Sequence, residues 1–364
     1  ILRYVNDTAD ECGVRDAVRL GHRVTRASWD TASARWTVEA QHGEEAVTLT
    51  CSFLQLCTGY YRYDEGYTPE LPGIERFGGA VVHPQHWPAD LDYAGKRVVV
   101  IGSGATAVTL VPAMADRAQH VTMLQRTPTY IVTLPGKDPL AALLLKVLPP
   151  RVVYPVVRWK NVLMMQGSFL VSRRWPIVMK KFIRFGQRRH LPESFDFRKH
   201  LNPPYEPWDQ RLCLVPDADL FEVIADGRAS IVTDRIETFT ETGVRLASGD
   251  ELGADVVITA TGLNLLAAGG TEFVVDGAPV EIADHVGYKG MMFSGIPNLV
   301  MTVGYTNASW TLKADLVSEY VCRLLGHMDR HGYDVATPLE PPPHVERVPF
   351  IDLTAGYVQR PLHL

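Results

Sequence analysis

Hydrophobic and polar positions change their spacing along the first part of the chain, and each spacing predicts a different element. Helical spacing predicts a short helix that ends near Gly13. Over 15–29, 33–40 and 46–50, apolar and polar residues alternate, which is typical of an antiparallel meander. The apolar run 53–56 then predicts a buried strand. The chain therefore opens with a small helix followed by an antiparallel sheet.

A different pattern begins after the proline- and glycine-rich segment around Pro72, which we interpret as a linker. At 97–101 an arginine precedes four β-branched residues, which predicts a strand buried on both faces of a parallel sheet. A glycine-rich turn and a helix follow, and 120–124 reads as the next buried strand. This order predicts a βαβ unit.

The rest of the chain returns to helical spacing over 139–190 and then to strands at 230–233 and 255–260. Proline cannot continue a regular helix, so we expect several breaks in the helical segment. These breaks are expected at Pro149, Pro150, Pro155 and Pro176. A further helix is predicted from Thr311 to Leu325.

Composition and charge narrow the class of protein. The 364 residues are 46% hydrophobic and 21% charged, which is ordinary for a globular chain. A net charge of -5 gives no basic field for nucleic acid, so a small-molecule partner is expected. The five cysteines form no C-x-x-C pair, which predicts neither a disulfide framework nor a metal site and fits a reducing cytoplasm. No apolar run reaches the length of a membrane span, about 18 residues.

The turn after the buried strand at 97–101 has the spacing of a dinucleotide-binding fingerprint. Its first glycine makes the tight turn, its second lets a pyrophosphate approach the backbone, and its small last residue packs the helix on the strand. The helix that follows offers unpaired N–H groups to an anion. The alternative is a tight strand-to-helix turn that binds nothing. The expected binding residues are Gly102, Ser103, Gly104, Ala105, Thr106 and Ala107.

The end of the next strand carries Gln125, Arg126 and Thr127 where an NAD-selective site would carry an acidic residue. A guanidinium group there suits a ribose 2'-phosphate, because its planar fork donates two charge-assisted hydrogen bonds. The three residues are therefore assigned to NADP binding. A solvated surface arginine is the alternative for Arg126.

Two buried strands end in Thr-Gly, at Thr58-Gly59 and at Thr261-Gly262. A strand that ends this way brings bare backbone close to whatever lies beyond its carboxyl end. We therefore assign these four residues to cofactor binding.

The pattern Phe-x-Gly-x-x-x-His-x-x-x-Trp-Pro between the two units is not explained by strand or helix spacing. Its fixed positions are Phe77, Gly79, His83, Trp87 and Pro88. Here the chain resembles the Baeyer-Villiger monooxygenases, whose fingerprint this is, whereas related flavin monooxygenases carry Tyr-Lys in place of Trp-Pro. The likeness extends through essentially the whole chain. It is strongest over 83–88, 102–112, 207–216 and 304–315.

The resemblance implies an α/β fold with two Rossmann-like dinucleotide-binding domains, FAD and NADPH as cofactors, and a helical insertion in the NADP domain. It implies insertion of one oxygen atom from O2 into a ketone through a flavin C4a-peroxide, with sulfur oxidation of thioamides as a further activity. By resemblance His83 lies in the hinge between the two domains and has a positioning role.

The implied domains follow the chain order. They are a remnant of the FAD domain at 1–76, the fingerprint linker at 77–88, the NADP domain at 89–262 with its insertion at about 136–205, and a return to the FAD domain at 263–364. The chain starts without Met in the middle of a helix, and the FAD fingerprint is not in it. We therefore expect an upstream FAD segment to be missing and this fragment to hold FAD weakly or not at all.

Arg211 matches the family's active-site arginine. The resemblance implies that it stabilises the anionic peroxide, and an arginine can do so without donating its proton. The alternative is an ion pair with Asp209 or Asp217.

Thr306, Asn307, Ala308 and Ser309 precede the predicted helix at Thr311, so their backbone N–H groups are expected to face the flavin N1–C2=O edge. An ordinary helix cap is the alternative.

The segment between Asp138 and Glu193 contains eleven Lys or Arg and no acidic residue. A basic helical face that touches anionic lipid is one interpretation, and an amphipathic insertion that packs on the core and forms part of the substrate pocket is the other. We favour packing on the core. At the level of function, an N- or S-oxidising flavin monooxygenase and a silent NADP-binding module remain alternatives.

Overall fold

The computed structural model describes residues 2–210, 212–305 and 309–349. These residues form two compact units. Unit 1 contains 2–61, 266–305 and 309–349, and unit 2 contains 62–265 without residue 211.

The helices and strands are numbered here in chain order. The α-helices are α1 Leu2–Glu11, α2 Ala105–Ala115, α3 Pro139–Leu144, α4 Pro150–Arg174, α5 Pro176–Arg188, α6 Phe197–His200, α7 Asp219–Ala225 and α8 Trp310–His331. The first strands are β1 His22–Asp30, β2 Arg35–His42, β3 Glu45–Cys51, β4 Leu54–Leu56, β5 Tyr61–Gly66, β6 Ala80–Val82, β7 Arg97–Ile101, β8 His120–Gln125, β9 Ile131–Leu134 and β10 Cys213–Pro216. The later strands are β11 Ala229–Thr233, β12 Ile236–Thr240, β13 Gly243–Leu246, β14 Glu251–Gly253, β15 Val256–Thr259, β16 Leu263–Leu265, β17 Glu272–Val275, β18 Ala278–Val280, β19 Gly287–Tyr288, β20 Met292–Phe293 and β21 Leu299–Met301.

Unit 1 contains the predicted antiparallel meander. Strands β1, β2 and β3 pair antiparallel, and β17 adds to β1 in parallel. Trp29 and Trp36 lie opposite each other in this sheet and are buried, which anchors its inner face. The alternation predicted from residue 15 is wrong at its start, because Arg15–Ala17 forms a 3-10 turn and β1 begins only at His22.

A second part of unit 1 is a pair of short parallel strands, β4 and β21. Val300 of β21 packs with Val317 and Val321 of α8 and with Met291 and Met292. The carboxyl ends of β4 and β21 therefore point to the same edge. The chain passes from β21 to the start of α8 within a few residues.

Unit 2 is built on a parallel sheet with the strand order β11-β8-β7-β15-β6. The side chains of β7 alternate between two cores. Val98 and Val100 pack with α2 and α7, whereas Val99 and Ile101 pack with Phe77 and with the small β12–β13–β14 sheet. The prediction of a parallel strand buried on both faces is confirmed.

The helical insertion of unit 2 consists of α3, α4 and α5. Helices α4 and α5 begin at Pro150 and Pro176, as the proline positions predict. The break predicted at Pro155 is wrong, because Pro155 lies inside α4. Proline lacks a backbone N–H, so at position 155 the 25-residue helix loses one intrahelical hydrogen bond and keeps the others. No helix in the described ranges is long and apolar enough to cross a membrane.

The predicted linker at 77–88 lies inside unit 2, since β6 pairs in parallel with β15 at the edge of the sheet. The division between units follows Tyr61 and recurs after Leu265. The assignment of the domains to FAD and NADP stays a prediction at this stage.

Candidate active site

The glycine turn of unit 2 connects β7 to α2 and begins at Gly102. This residue has φ +134°, a region that side chains other than glycine rarely adopt. A Cβ atom there would lie 2.3 Å from the carbonyl oxygen of Ala260, so the backbones of two neighbouring strand ends touch at this point. The Gly102 N–H donates to the Leu124 carbonyl at 2.8 Å. The first glycine is therefore required by the fold itself.

The second glycine of the turn, Gly104, is open where Gly102 is crowded. It lies at the N-cap of α2, and a Cβ atom there would meet no heavy atom within 4 Å. Ala107 is fully buried against the sheet. The open backbone together with the unpaired N–H groups of the first helical turn, at Ala105 and Thr106, fits a pyrophosphate group.

Ser103 ties this turn to the segment that follows β8. Its hydroxyl donates to the Thr127 carbonyl at 3.2 Å and lies 3.4 Å from the Thr129 hydroxyl. The Cys213 thiol, at the start of β10, lies 3.8 Å from the Ser103 carbonyl. Burial raises the pKa of the Cys213 thiol to about 12, so it remains protonated at neutral pH.

Gln125 is the last residue of β8 and Arg126 follows it, but their side chains lie in different environments. Gln125 is buried, and its amide nitrogen donates to the His200 carbonyl and the Thr233 hydroxyl, both at 2.8 Å. Arg126 is exposed and forms no ion pair with any described residue. Gln125 therefore fastens the strand end, while the Arg126 guanidinium is available to an anion.

The strand end at Thr261-Gly262 is bonded to a neighbouring loop. The Thr261 hydroxyl donates to the Tyr67 carbonyl at 2.6 Å, and the Tyr67 N–H donates to the Gly262 carbonyl at 3.0 Å. Because β7 and β15 are neighbours, this end lies beside the glycine turn at Gly102.

The first half of the fingerprint supports the sheet. Phe77 is buried in the core beneath β7 and packs edge-on against Phe239. A Cβ atom on Gly79 would lie 2.4 Å from the Asp255 carbonyl oxygen and 2.6 Å from the Phe77 ring. Glycine is therefore needed at position 79 so that β6 can approach β15.

The second half of the fingerprint folds back onto β5. Nδ1 of His83 accepts the Gln85 N–H at 3.2 Å, and Gln85 donates to the Arg62 and Tyr63 carbonyls at 2.7 Å. The His83 ring covers Gly66, where a Cβ atom would lie 1.9 Å from it. Trp87 is 37% exposed and Pro88 is exposed. All of these contacts lie within unit 2, and the positioning role of His83 between two domains stays a prediction.

The strand end at Thr58-Gly59 belongs to unit 1 and follows β4. The next residue of the parallel partner β21, Thr302, accepts a hydrogen bond from Gln55 at 3.1 Å and donates its own N–H to the Leu56 carbonyl at 2.8 Å. The two strand ends are thereby held side by side, with Thr58-Gly59 on one and Gly304 two residues after Thr302 on the other.

The start of α8 packs against this edge. A Cβ atom on Gly304 would lie 2.2 Å from the Trp310 ring, and Trp310 packs on Tyr60 with ring centroids 5.0 Å apart. Ser309 is at the N-cap of α8, the alternative left open by the sequence, but its hydroxyl bonds to the Thr311 hydroxyl at 2.9 Å and caps no backbone N–H. Thr306, Asn307 and Ala308 lie outside the described residues.

Arg211 also lies outside the described residues, so its role stays a prediction. The preceding loop is held by two ion pairs to the insertion, Arg173 with Asp209 at 2.9 Å and Lys180 with Glu206 at 2.8 Å. Asp217 accepts the Gly136 N–H at 2.9 Å.

A hydrogen bond that the sequence did not predict links this loop to the glycine turn. The Tyr205 hydroxyl lies 3.3 Å from the Thr129 hydroxyl, which in turn contacts Ser103. No spacing in the sequence indicates this contact, because Ser103 and Tyr205 lie on separate elements that only the sheet brings together.

Helix α5 and strand β9 border an open cavity of about 360 Å³. Its walls are mainly apolar, with two basic side chains. The lining residues are Val132, Thr133, Phe182, Ile183, Phe185, Gly186, Arg189 and His190. The role of the insertion in a substrate pocket stays a prediction. Among the described residues no cluster of His, Cys, Asp or Glu could hold a metal ion.

This fold and these turns define a flavin-binding monooxygenase: the model of the flavin-binding monooxygenase-like family matches residues 4–267, and the chain belongs to this family. The FAD-containing monooxygenase EthA of Mycobacterium tuberculosis is 56% identical over 363 residues, which cover 100% of this chain and 74% of that protein. EthA of Mycolicibacterium smegmatis is 50% identical and aligns with 99% of this chain and 73% of its own length.

Solved structures share the fold. OTEMO in complex with FAD and NADP has a TM-score of 0.73 at 24% identity and covers 94% of this chain and 72% of its own. An open structure of cyclohexanone monooxygenase has a TM-score of 0.73 at 22% identity. The match covers 94% of this chain and 74% of that one. These structures confirm the predicted α/β dinucleotide-binding fold. The family match and the similarity to EthA confirm the predicted class, a flavin-dependent oxidoreductase. The expected cofactors are those named for EthA, which contains FAD, and for OTEMO, solved with FAD and NADP.

Proposed function

We propose that this protein is an FAD- and NADPH-dependent Baeyer-Villiger monooxygenase. It inserts one oxygen atom of O2 into a ketone to give an ester, reduces the other to water, and oxidises NADPH to NADP+. It also transfers one oxygen atom of O2 to the sulfur of thioamides and sulfides, a step in which sulfur is the nucleophile, and again reduces the other atom to water at the expense of NADPH. The observation that carries the proposal is the fingerprint from Phe77 to Pro88, which is complete and forms a structural part of the sheet that bears the glycine turn.

The NADP site is assigned to the glycine turn and the end of β8. The open backbone at Gly104 and the N-terminus of α2 would hold the pyrophosphate, with Ser103 and Thr127 beside it. Arg126 would bind the 2'-phosphate, because its guanidinium is exposed and forms no ion pair with a described residue.

The flavin site is assigned to the edge in unit 1 formed by Thr58-Gly59, Gly304 and the start of α8. The side of Gly304 where a Cβ atom would lie is filled by the Trp310 ring, so this ring would border the bound flavin rather than leave an open face at Gly304. N–H groups at the N-terminus of a helix would stabilise negative charge on the flavin. FAD, when bound, supplies the activation of dioxygen.

Arg211 would keep a positive charge next to the reacting oxygen at any working pH. A fixed cation lowers the energy of the negative charge that develops there during attack on the carbonyl carbon. Asp209 and Glu206, shortly before Arg211 in the sequence, form ion pairs with the insertion, which fixes the loop that contains them.

The test is turnover of FAD-loaded protein with NADPH and labelled dioxygen, using cyclic and linear ketones and a thioamide. We expect ester that contains one labelled oxygen atom and an equal amount of NADPH consumed. Oxidised amine or sulfide without ester would instead identify an N- or S-oxidising enzyme. Binding of NADP+ without NADPH oxidation would identify a silent module.

A further inference from the structure

Helix α4 carries an exposed apolar stripe on one face. Val152, Val156, Trp159, Leu163 and Leu170 recur at intervals of three, four and seven residues, so their side chains project in nearly the same direction. Trp159 is 64% exposed and Leu163 is 66% exposed. In all of α4 only Val153 and Ser172 are buried. A helix of a globular protein normally turns such a stripe to the core, so this one is available to a partner.

Helix α5 repeats the feature. Val178, Phe182 and Phe185 recur at intervals of four and three residues and are each more than half exposed. Trp175, between the two helices, is 57% exposed. The preference for an insertion packed on the core, drawn from sequence, does not account for this exposure, because α5 buries only Ile183 and Gln187.

The charge of the same segment has one sign. Of its eleven cations, three pair with carboxylates outside it, at Asp138, Glu206 and Asp209. Lys146, Arg151, Arg174 and Lys181 form no ion pair with a described carboxylate. A partner of this face must therefore offer both apolar area and negative charge.

An anionic bilayer surface has both properties. Its acyl region accepts Trp, Phe and Leu side chains to a depth of several ångström, while its headgroups attract Lys and Arg placed beside them. Tryptophan is also a residue that membrane interfaces favour. A second copy of this chain would offer the apolar stripes but would bring the same cations together, which is unfavourable.

We propose that α4 and α5 form a peripheral docking surface for anionic lipid. The helices lie along the membrane surface with the apolar stripes inserted and the cations at the headgroups. This inference is independent of the proposed monooxygenase reaction, since it concerns a surface and not the chemistry of the site.

The test measures cosedimentation of the whole chain with two kinds of vesicle, phosphatidylcholine alone and phosphatidylcholine mixed with phosphatidylglycerol. We expect binding to the mixed vesicles that weakens as salt rises from about 0.1 M to about 0.5 M. Tryptophan fluorescence should shift to the blue on binding, because Trp159 and Trp175 leave water. The double variant Trp159→Ser/Leu163→Ser should lower the partition coefficient by at least about tenfold. The variant Arg174→Glu/Lys181→Glu should lower binding to the mixed vesicles only.

Matched controls are Val18→Ser/Leu20→Ser and Arg19→Glu/Arg330→Glu, which change exposed residues outside the insertion. They should leave binding unchanged, and all variants should keep the wild-type melting temperature, since the altered side chains are exposed. Absence of binding to the mixed vesicles, or equal loss in the controls, would overturn the proposal. Self-association of the wild-type chain would also overturn the proposal, if the Trp159→Ser/Leu163→Ser variant abolishes it and added vesicles do not reduce it.

Discussion

At the residue scale, the proposed role of Arg126 is to distinguish NADPH from NADH, which differ by one phosphate group. The side chain is exposed at the end of β8 and forms no ion pair with a described residue, so a 2'-phosphate would gain its charge-assisted bonds without displacing another partner. We expect Arg126→Ala to weaken NADPH binding by about 1.5 to 3 kcal/mol, roughly 10- to 150-fold in Kd, and to leave NADH binding nearly unchanged. Titration of both cofactors into wild type and variant measures the difference.

Lys137→Ala is a matched control, because Lys137 is an exposed cation in the same unit and forms no ion pair with a described residue. It should change neither affinity. Equal losses for NADPH and NADH in Arg126→Ala would show that Arg126 does not read the 2'-phosphate.

Arg211 is the second residue whose charge carries a prediction. Methionine has similar bulk and no charge, so in the full-length protein Arg211→Met should retain FAD. The variant should form ester several hundredfold more slowly, because loss of the fixed charge raises the transition-state free energy by about 3 to 4 kcal/mol. Where the variant still consumes NADPH, its electrons should reduce O2 to an equal amount of hydrogen peroxide. The measurement compares ester formed with NADPH consumed under the same oxygen.

A lysine at position 211 restores the charge but also offers a proton that can be lost, so Arg211→Lys should recover only part of the activity. Ester formation near the wild-type rate in Arg211→Met would show that the arginine is structural.

At the element scale, the starts of β7 and β15 are fastened to each other by one side-chain pair. The guanidinium of Arg97 binds both carboxylate oxygens of Asp255, at 2.8 and 3.1 Å, and the Arg97 N–H donates to the same carboxylate at 2.8 Å. These bonds lower the pKa of Asp255 to about 2. The pair holds the register of the two strands whose other ends meet at Gly102 and Ala260.

We expect Asp255→Asn to lower the free energy of unfolding by roughly 0.5 to 1 kcal/mol at neutral pH, a small value because both side chains are more than a third exposed. The lowered pKa means that the stabilisation is present above about pH 4 and is lost as pH falls toward 2. Denaturant unfolding of wild type and variant between pH 7 and pH 3 measures the difference, which should narrow only below about pH 4.

Asp90→Asn serves as the control, since Asp90 is exposed and forms no ion pair with a described residue. It should match wild type at every pH. A difference between wild type and Asp255→Asn that stays constant down to pH 3 would rule out the carboxylate as its source.

At the scale of the whole molecule, the cofactor that fits unit 2 should raise the stability of that unit. A ligand at 100 times its Kd adds about 2.7 kcal/mol to the folded state. We expect NADP+ to raise the melting temperature and to slow hydrogen exchange at 102–107 and 125–127. NAD+ at the same concentration should do less. Slower exchange confined to unit 1 would contradict the assignment of the glycine turn to NADP.

The sequence by itself determined the elements whose signal is local. The meander, the buried strand at Arg97–Ile101 and the glycine turn follow from spacing, β-branching and turn residues, because those properties act over a few neighbours. The fingerprint that first indicates the family is likewise local, since it lies within Phe77 to Pro88. Pro155 shows the limit of such local rules, because α4 continues through a proline that by itself disfavours an interior helical position.

Only the tertiary structure decided which distant residues meet. The glycine at position 102 is required by the carbonyl of Ala260, and the one at 79 by the carbonyl of Asp255, both more than a hundred residues away. The contact of Tyr205 with Thr129 likewise joins separate elements that no sequence spacing links. The outward direction of the apolar stripe on α4 was also undecided, since helical spacing shows that a face is apolar but not whether the core or a partner covers it.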